Sequence, residues 1–404
     1  MKLYLLVETN DVSKTLNIYN EIIQKSIKNF GGFTIINFSN ILKKNKDSIN
    51  DKKNIFILRN KYGEKINYLN PINKKEFLEC IEKDQVIAID SIGKSFNFFS
   101  IRRSIKKKNM KLILIMNLGY VSNELSYPIN NLNGHLFKLK KKINNFIYKF
   151  LVIIKFLPNI FIYFESRKDI YENCINNKKT KLSLFLPFLN IKYFENIYKI
   201  NSNSYTNYLK NKNNLEEKNI IFLDGNYKHG DILSREDLNI IELKKKYFQR
   251  LDIFFKWIEN IFKQKVEICL HPSSDVNEYK SFFKNGIIWE NFTNEKIIKS
   301  FIVIFHESSA ILDALIYKKK IISLNTTLFG EYMSNRIFYY KKKLNLFSIE
   351  LDNHEHYKNY KHKDILNSLQ NSIKNYDNYI YNYMKSDNEE QGTDKIIRIL
   401  KSYE

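Results

Sequence analysis

Short apolar runs recur along this chain and alternate with stretches in which apolar residues return every three or four positions. Runs of the first kind fit strands, and spacings of the second kind fit amphipathic helices. In the first half "KLYLLVE", "FTIINF", "NIFILR", "QVIAID" and "KLILIMN" predict strands. "VSKTLNIYNEIIQKSIKNFG" predicts a helix closed by Gly31, and "FFSIRRSIKKKNM" a helix with its basic residues outward. The pattern then restarts. "NIIFLD", "VEICL", "FIVIF" and "KIISL" predict strands, separated by the helices "YFQRLDIFFKWIENIFKQ", "EKIIKS" and "SSAILDALIYKK".

Strands that alternate with helices imply a parallel sheet covered on both faces. Two such series predict two doubly wound α/β domains. The expected boundaries are residues 1–205 for the first domain and 206–375 for the second, with a helical tail, 376–404, packing back on the first. Asn- and Lys-rich stretches at Asn176–Lys181 and Ser202–Lys218 are the expected loops and joint. In open sheets of this kind, ligands bind outside the carboxyl ends of the strands.

A length of 404 residues agrees with two domains. A hydrophobic content of 44% and an aromatic content of 15% argue against a disordered protein. A formal net charge of +23 suits an anionic partner. Lys, Asn and Ile are inflated together, however, as an AT-rich coding sequence would make them, and no nucleic-acid-binding module is present. Nucleic acid is therefore not an expected partner. Three widely spaced cysteines, Cys80, Cys174 and Cys269, fit a reducing compartment and form no metal or redox motif. The N-terminal apolar run is too short for a signal peptide, so a cytoplasmic protein is expected. The segment Lys138–Phe164 joins a basic cluster to a long apolar stretch. Lys149, Lys155 and Pro158 interrupt it, which argues for a buried helix followed by a strand, with a patch on an anionic membrane face as the other reading.

Several motifs fail on inspection. "AIDSIGKS" has Ala88 where a phosphate-cradling loop needs its first glycine, and no strand is followed by G-x-G-x-x-G. There is no Asp-x-Asp pair, and "HEHYKNYKH" lacks cysteine partners for zinc. No metal or cofactor is expected.

Three strand endings carry more. Asp224 ends "NIIFLD" ahead of Gly225, which permits a tight turn; its carboxylate is either a base or nucleophile in a cleft or the anchor of an Asx-turn. His229 and Asp231 lie in the same loop. His271 ends "VEICL" in front of Pro272, which restricts where the imidazole points; it either meets a phosphate or is a structural turn residue. Ser308 and Ser309 stand between "FIVIF" and a helix, where amide donors and two hydroxyls suit a phosphate.

An acidic residue before glycine, a His-Pro and a Ser-Ser, in that order over Asn219–Leu324, resemble the bacterial glycosyltransferases that use CMP-activated acidic sugars: sialyltransferases, polysialyltransferases and Kdo transferases. The same frame resembles surface-carbohydrate biosynthesis proteins. The resemblance implies a GT-B fold, with two Rossmann-like domains facing a central cleft. It also implies metal-independent transfer of a sialic acid-like sugar or Kdo to a glycan or lipid-linked glycan acceptor, with peripheral contact at the inner membrane. His271, Pro272, Ser273, Glu307, Ser308 and Ser309 would bind the donor, and Asp224 and His271 would be catalytic. The chain departs from the pattern in having Leu223 before Asp224, where sialyltransferases have a second acidic residue. Arg102, Arg103 and Arg336 are candidates for the sugar carboxylate or an anionic acceptor. The alternatives are a GT-B enzyme with a UDP- or GDP-hexose donor, and a non-catalytic basic membrane-associated scaffold.

Overall fold

The computed structural model describes residues 2–8, 12–43, 48–81, 86–92, 98–116, 143, 147, 151–152, 157–158, 160–176, 194–211, 219–228, 239–290 and 292–404. The chain divides into two compact units. The first contains a parallel sheet of seven strands: β1 (Lys2–Val7), β2 (Phe33–Asn37), β3 (Ile66–Leu69), β4 (Val86–Asp90), β5 (Lys111–Met116), β6 (Ile160–Glu165) and β7 (Phe194–Lys199). Their order is β3-β2-β1-β4-β5-β6-β7. Leu3 and Leu5 of β1 face one helical layer while Tyr4 and Leu6 face the other, the alternation that a sheet covered on both sides requires.

The second unit contains Asn203–Met384 and a parallel sheet of six strands: β8 (Asn219–Leu223), β9 (Val266–Cys269), β10 (Ile287–Trp289), β11 (Ser300–Phe305), β12 (Lys320–Asn325) and β13 (Phe347–Glu350). Their order is β10-β9-β8-β11-β12-β13. The chain starts in the middle, winds outward through β9 and β10, then returns to the other side of β8. The crossover directions reverse between β8 and β11, and in such sheets that switch point is where ligands bind. The Ile240–Phe262 helix buries Tyr247, Phe248, Leu251, Phe254, Phe255 and Ile258 over this sheet, a stripe at helical spacing. Its N-cap is Asn239, whose side chain accepts from the amides of Ile241 and Glu242.

Several expectations are displaced. "NIFILR" belongs to the Ser48–Tyr62 helix, not to a strand; Leu58 is buried while Phe56 is exposed, and a short apolar run by itself does not separate the two states. Asn203–Lys210 is a helix where a loop was expected, because Tyr205 and Thr206 are buried against the Ile311–Ile316 helix. The joints consequently fall after Ser202 and after Met384, not at 205 and 375. The tail divides there. Tyr376, Tyr379 and Tyr383 join the core of the second unit, while the Gly392–Lys401 helix packs on Val12–Phe30 in the first.

Most of the basic-apolar segment 138–157 lies outside the described residues. Val152 and Leu157 within it are buried against Phe99. Among the described residues no helix is long and apolar enough to cross a membrane.

Candidate functional site

The carboxyl ends of β8, β9 and β11, neighbours in the second sheet, carry the Asp-Gly, His-Pro and Ser-Ser sequences. Asp224 is 2% exposed, and four donors converge on its carboxylate. Oδ1 accepts from the Asn226 amide at 2.9 Å and the Tyr279 hydroxyl at 2.7 Å. Oδ2 accepts from the His271 amide at 3.2 Å and the Ser274 hydroxyl at 2.5 Å. Burial, and secondarily the charge of Asp224, pushes the Tyr279 phenol well above its usual pKa, so it stays a donor. The carboxylate therefore ties the loop after β8 to the loop after β9. The Asx-turn to Asn226 is present within this larger knot.

Gly225 has a different reason from the tight turn expected of it. The left-handed residue is Asn226, with φ of 54°. A Cβ on Gly225 would lie 2.4 Å from the carbonyl oxygen of Glu307, so only glycine lets the loops after β8 and β11 touch.

The Asn226 side chain extends this network. Its Nδ2 donates to Ser273 Oγ at 2.8 Å, and Ser273 Oγ lies 2.8 Å from His271 Nδ1. The Ser273 amide also donates to Nδ1 at 3.2 Å. An atom that accepts from a backbone N–H carries no proton, so the neutral His271 ring holds its proton on Nε2. His271 is thereby a fixed-tautomer donor on a half-buried ring.

Ser308 and Ser309 precede the helix rather than begin it. Ser308 Oγ accepts from the Ala310 amide at 3.3 Å, and the helix proper is the six-residue Ile311–Ile316. Ser308 and Glu307 are half-buried, and Ser309 and Pro272 are exposed. With so short a helix, the hydroxyls carry more of any anion contact than a helix dipole does.

Sequence reasoning passed over His306, next to Glu307. It is 2% exposed and boxed by the rings of Phe222, Tyr247 and Phe329, at 5.7, 5.4 and 5.5 Å between centroids. Its Nδ1 donates to the Leu324 carbonyl at 2.9 Å. Burial pushes its pKa down to about 4, against the opposing effect of that hydrogen bond, so the ring is neutral at pH 7. Phe329 is held in place by a second carboxylate, Asp352, which accepts from Thr326 Oγ1 and from the amide and hydroxyl of Thr327, each at 2.7 Å. The only sequence signal was a histidine at a strand end, weak by itself.

Other candidates lie elsewhere. Arg102 is buried in the first unit, bonded through both terminal nitrogens to Asp90 and also to the Ile92 carbonyl, so it is not placed to meet a substrate carboxylate. Arg103 is exposed on the same helix. His229, Asp231, residues 93–95 of "AIDSIGKS" and the side chain of Arg336 lie outside the described residues. His354, His356 and His362 each pack on an aromatic ring, of Tyr357, Tyr360 and Phe262. Among the described residues no group of three or more His, Cys, Asp or Glu side chains is arranged to hold a metal.

No protein-family model matches the chain. No curated protein matches its sequence. Solved structures do match its shape. Arabidopsis thaliana UGT89C1, in complex with UDP, is 10% identical with a TM-score of 0.51, over 100% of this chain and 99% of that one. Apo UGT2 of Phytolacca americana is 8% identical with a TM-score of 0.52, again over 100% and 99%. At such identities the likeness concerns the fold, which is GT-B with two Rossmann-like units.

Proposed function

We propose that the chain is a nucleotide-sugar-dependent glycosyltransferase whose donor phosphates lie at the carboxyl ends of β8, β9 and β11. One observation carries this reading. At the switch point of the second sheet, Asp224 and Gly225 hold together three loops that bring the Nε2–H of His271 and the hydroxyls of Ser308 and Ser309 to one sheet edge. Fixed neutral donors aimed at a leaving phosphate stabilise the charge that grows as the sugar departs, without reorganisation at that moment.

Asp224 acts in this scheme as a positioning residue. With both oxygens accepting hydrogen bonds in a buried site, it sets the His271 backbone rather than taking a proton from substrate. Charge on the leaving group is met by His271 and the serines, and no resident metal is invoked.

A UDP-hexose donor is the preferred nucleotide. The UDP-complexed GT-B structure supports it, and the burial of Arg102 removes one expected partner of an acidic sugar. The CMP-sugar reading keeps the support of the Asp-Gly, His-Pro, Ser-Ser order. Calorimetric titration with UDP, GDP and CMP separates them. UDP is expected to bind, and His271→Ala and Ser309→Ala, both at solvent-accessible positions, are each expected to weaken it about tenfold. Binding of CMP alone would move the assignment to the acidic-sugar donor. If no nucleotide bound, the donor site would be lost as a reading.

A further inference from the structure

His306 has an unused atom at the end of β11, two residues before Ser308. Its Nδ1 donates to Leu324, so the neutral ring leaves Nε2 as a bare lone pair. Nε2 is buried and, among the described residues, has no hydrogen-bond partner. An unsatisfied buried polar atom in a native site calls for a reason.

The ring lines a small cavity with Gly225, Asn226, Tyr227, Tyr247, Glu307 and Phe329. Its volume is about 10 Å³, the room that a single hydroxyl or one water takes. It lies between the ends of β8 and β11, at the switch point itself. The polarity of its walls is specific. A lone pair held among aromatic rings repels an anion and takes no proton at neutral pH, so phosphate and carboxylate oxygens are disfavoured beside Nε2. A neutral donor is accepted. The surrounding site then has proton donors for phosphate at His271, Ser308 and Ser309, and a proton acceptor at His306.

We propose that His306 Nε2 accepts a hydrogen bond from one hydroxyl of the bound nucleotide sugar and thereby determines which donor is used. This rests on the donor-site reading above. The hydroxyl belongs either to the ribose or to the transferred hexose, and the two sources are separable with deoxy compounds.

The test is titration of the wild-type protein with UDP, 2′-deoxy-UDP and 3′-deoxy-UDP, then with UDP-glucose and its 2-, 3-, 4- and 6-deoxyglucose analogues. One analogue is expected to bind at least tenfold more weakly than its parent, and its identity names the source. His306→Asn retains a donor for the Leu324 carbonyl but has no atom at the Nε2 position; the deoxy penalty is expected to vanish in it. His306→Gln places its amide near that position and is expected to restore the penalty in part. Thermal melts of both variants check that the fold is retained. Equal binding of every deoxy compound by wild type would overturn the inference while sparing the donor site. So would a penalty unchanged in His306→Asn, or a uniform weakening of all ligands there, which is what a trapped structural water would give. If UDP and UDP-glucose both failed to bind wild type, the UDP-hexose assignment and this inference would fall together, and the donor site itself would fall only if GDP and CMP failed as well.

Discussion

A carboxylate that already accepts from Asn226, Tyr279, His271 and Ser274 has little left to offer a substrate. Asp224→Ala would leave four donors facing a cavity in a buried site. The expected loss is about 3 kcal/mol of stability, read as a fall in the urea midpoint, since orphaned buried donors are expensive. A variant as stable as wild type yet inactive would instead make Asp224 a catalytic group. At this scale the sequence was partly legible. The strand-end positions of Asp224 and His271 followed from the apolar runs before them. What each atom does depended on partners distant in sequence: Tyr279 for the carboxylate, Asn226 for Ser273 and so for the imidazole. His306 was passed over for the same reason, because its aromatic box is assembled from β8, the Ile240–Phe262 helix and the turn after β12.

Among elements, the long amphipathic helix and the strands of the second unit stood out because their patterns are strong. β3, β7, β10 and β13 were missed, being short or polar on one face; "FENIYK" of β7 has no apolar run at all. The Asn203–Lys210 helix was hidden by its polar composition, and tertiary packing overrides such propensities. That helix has a measurable consequence. Asp313, on the helix it packs against, is half-buried and hydrogen-bonded to Ser204; desolvation outweighs that bond and raises its pKa from 3.8 to about 6. The sign follows from proton linkage. Between these values the folded state holds the proton more tightly than the unfolded state, so stability falls as pH rises through that window. Asp313→Asn is expected to melt higher than wild type at pH 7.5 and to lose this advantage by pH 4. A melting difference independent of pH would contradict the assignment. Burial pushes the nearby Tyr317 phenol up to about 12, so it stays neutral in this range and does not mask the effect.

For the whole molecule, the α/β alternation gave the class and the number of units, while the joints shifted because helices at both borders are claimed by the second unit's core. The chain's end belongs to the first unit. Ile396, Ile399 and Leu400 join Tyr19, Ile22 and Ile23 in its core, Lys25 pairs with Asp394 at 2.6 Å, and Tyr403 meets Phe161 and Tyr198. Removing residues 392–404 uncovers that surface, and buried branched side chains are worth roughly 1.5–3 kcal/mol each. The truncated chain is therefore expected to be destabilised or insoluble, checked by soluble yield and melting temperature. Undiminished stability would show the helix to be an accessory.

The central claim is that three loops of the second unit form one phosphate site, and a crystal structure with UDP tests it most directly. The account predicts phosphate oxygens within hydrogen-bonding distance of His271 Nε2 and of a hydroxyl of Ser308 or Ser309. UDP bound in the first unit, or in the second with its phosphates away from these groups, would contradict it.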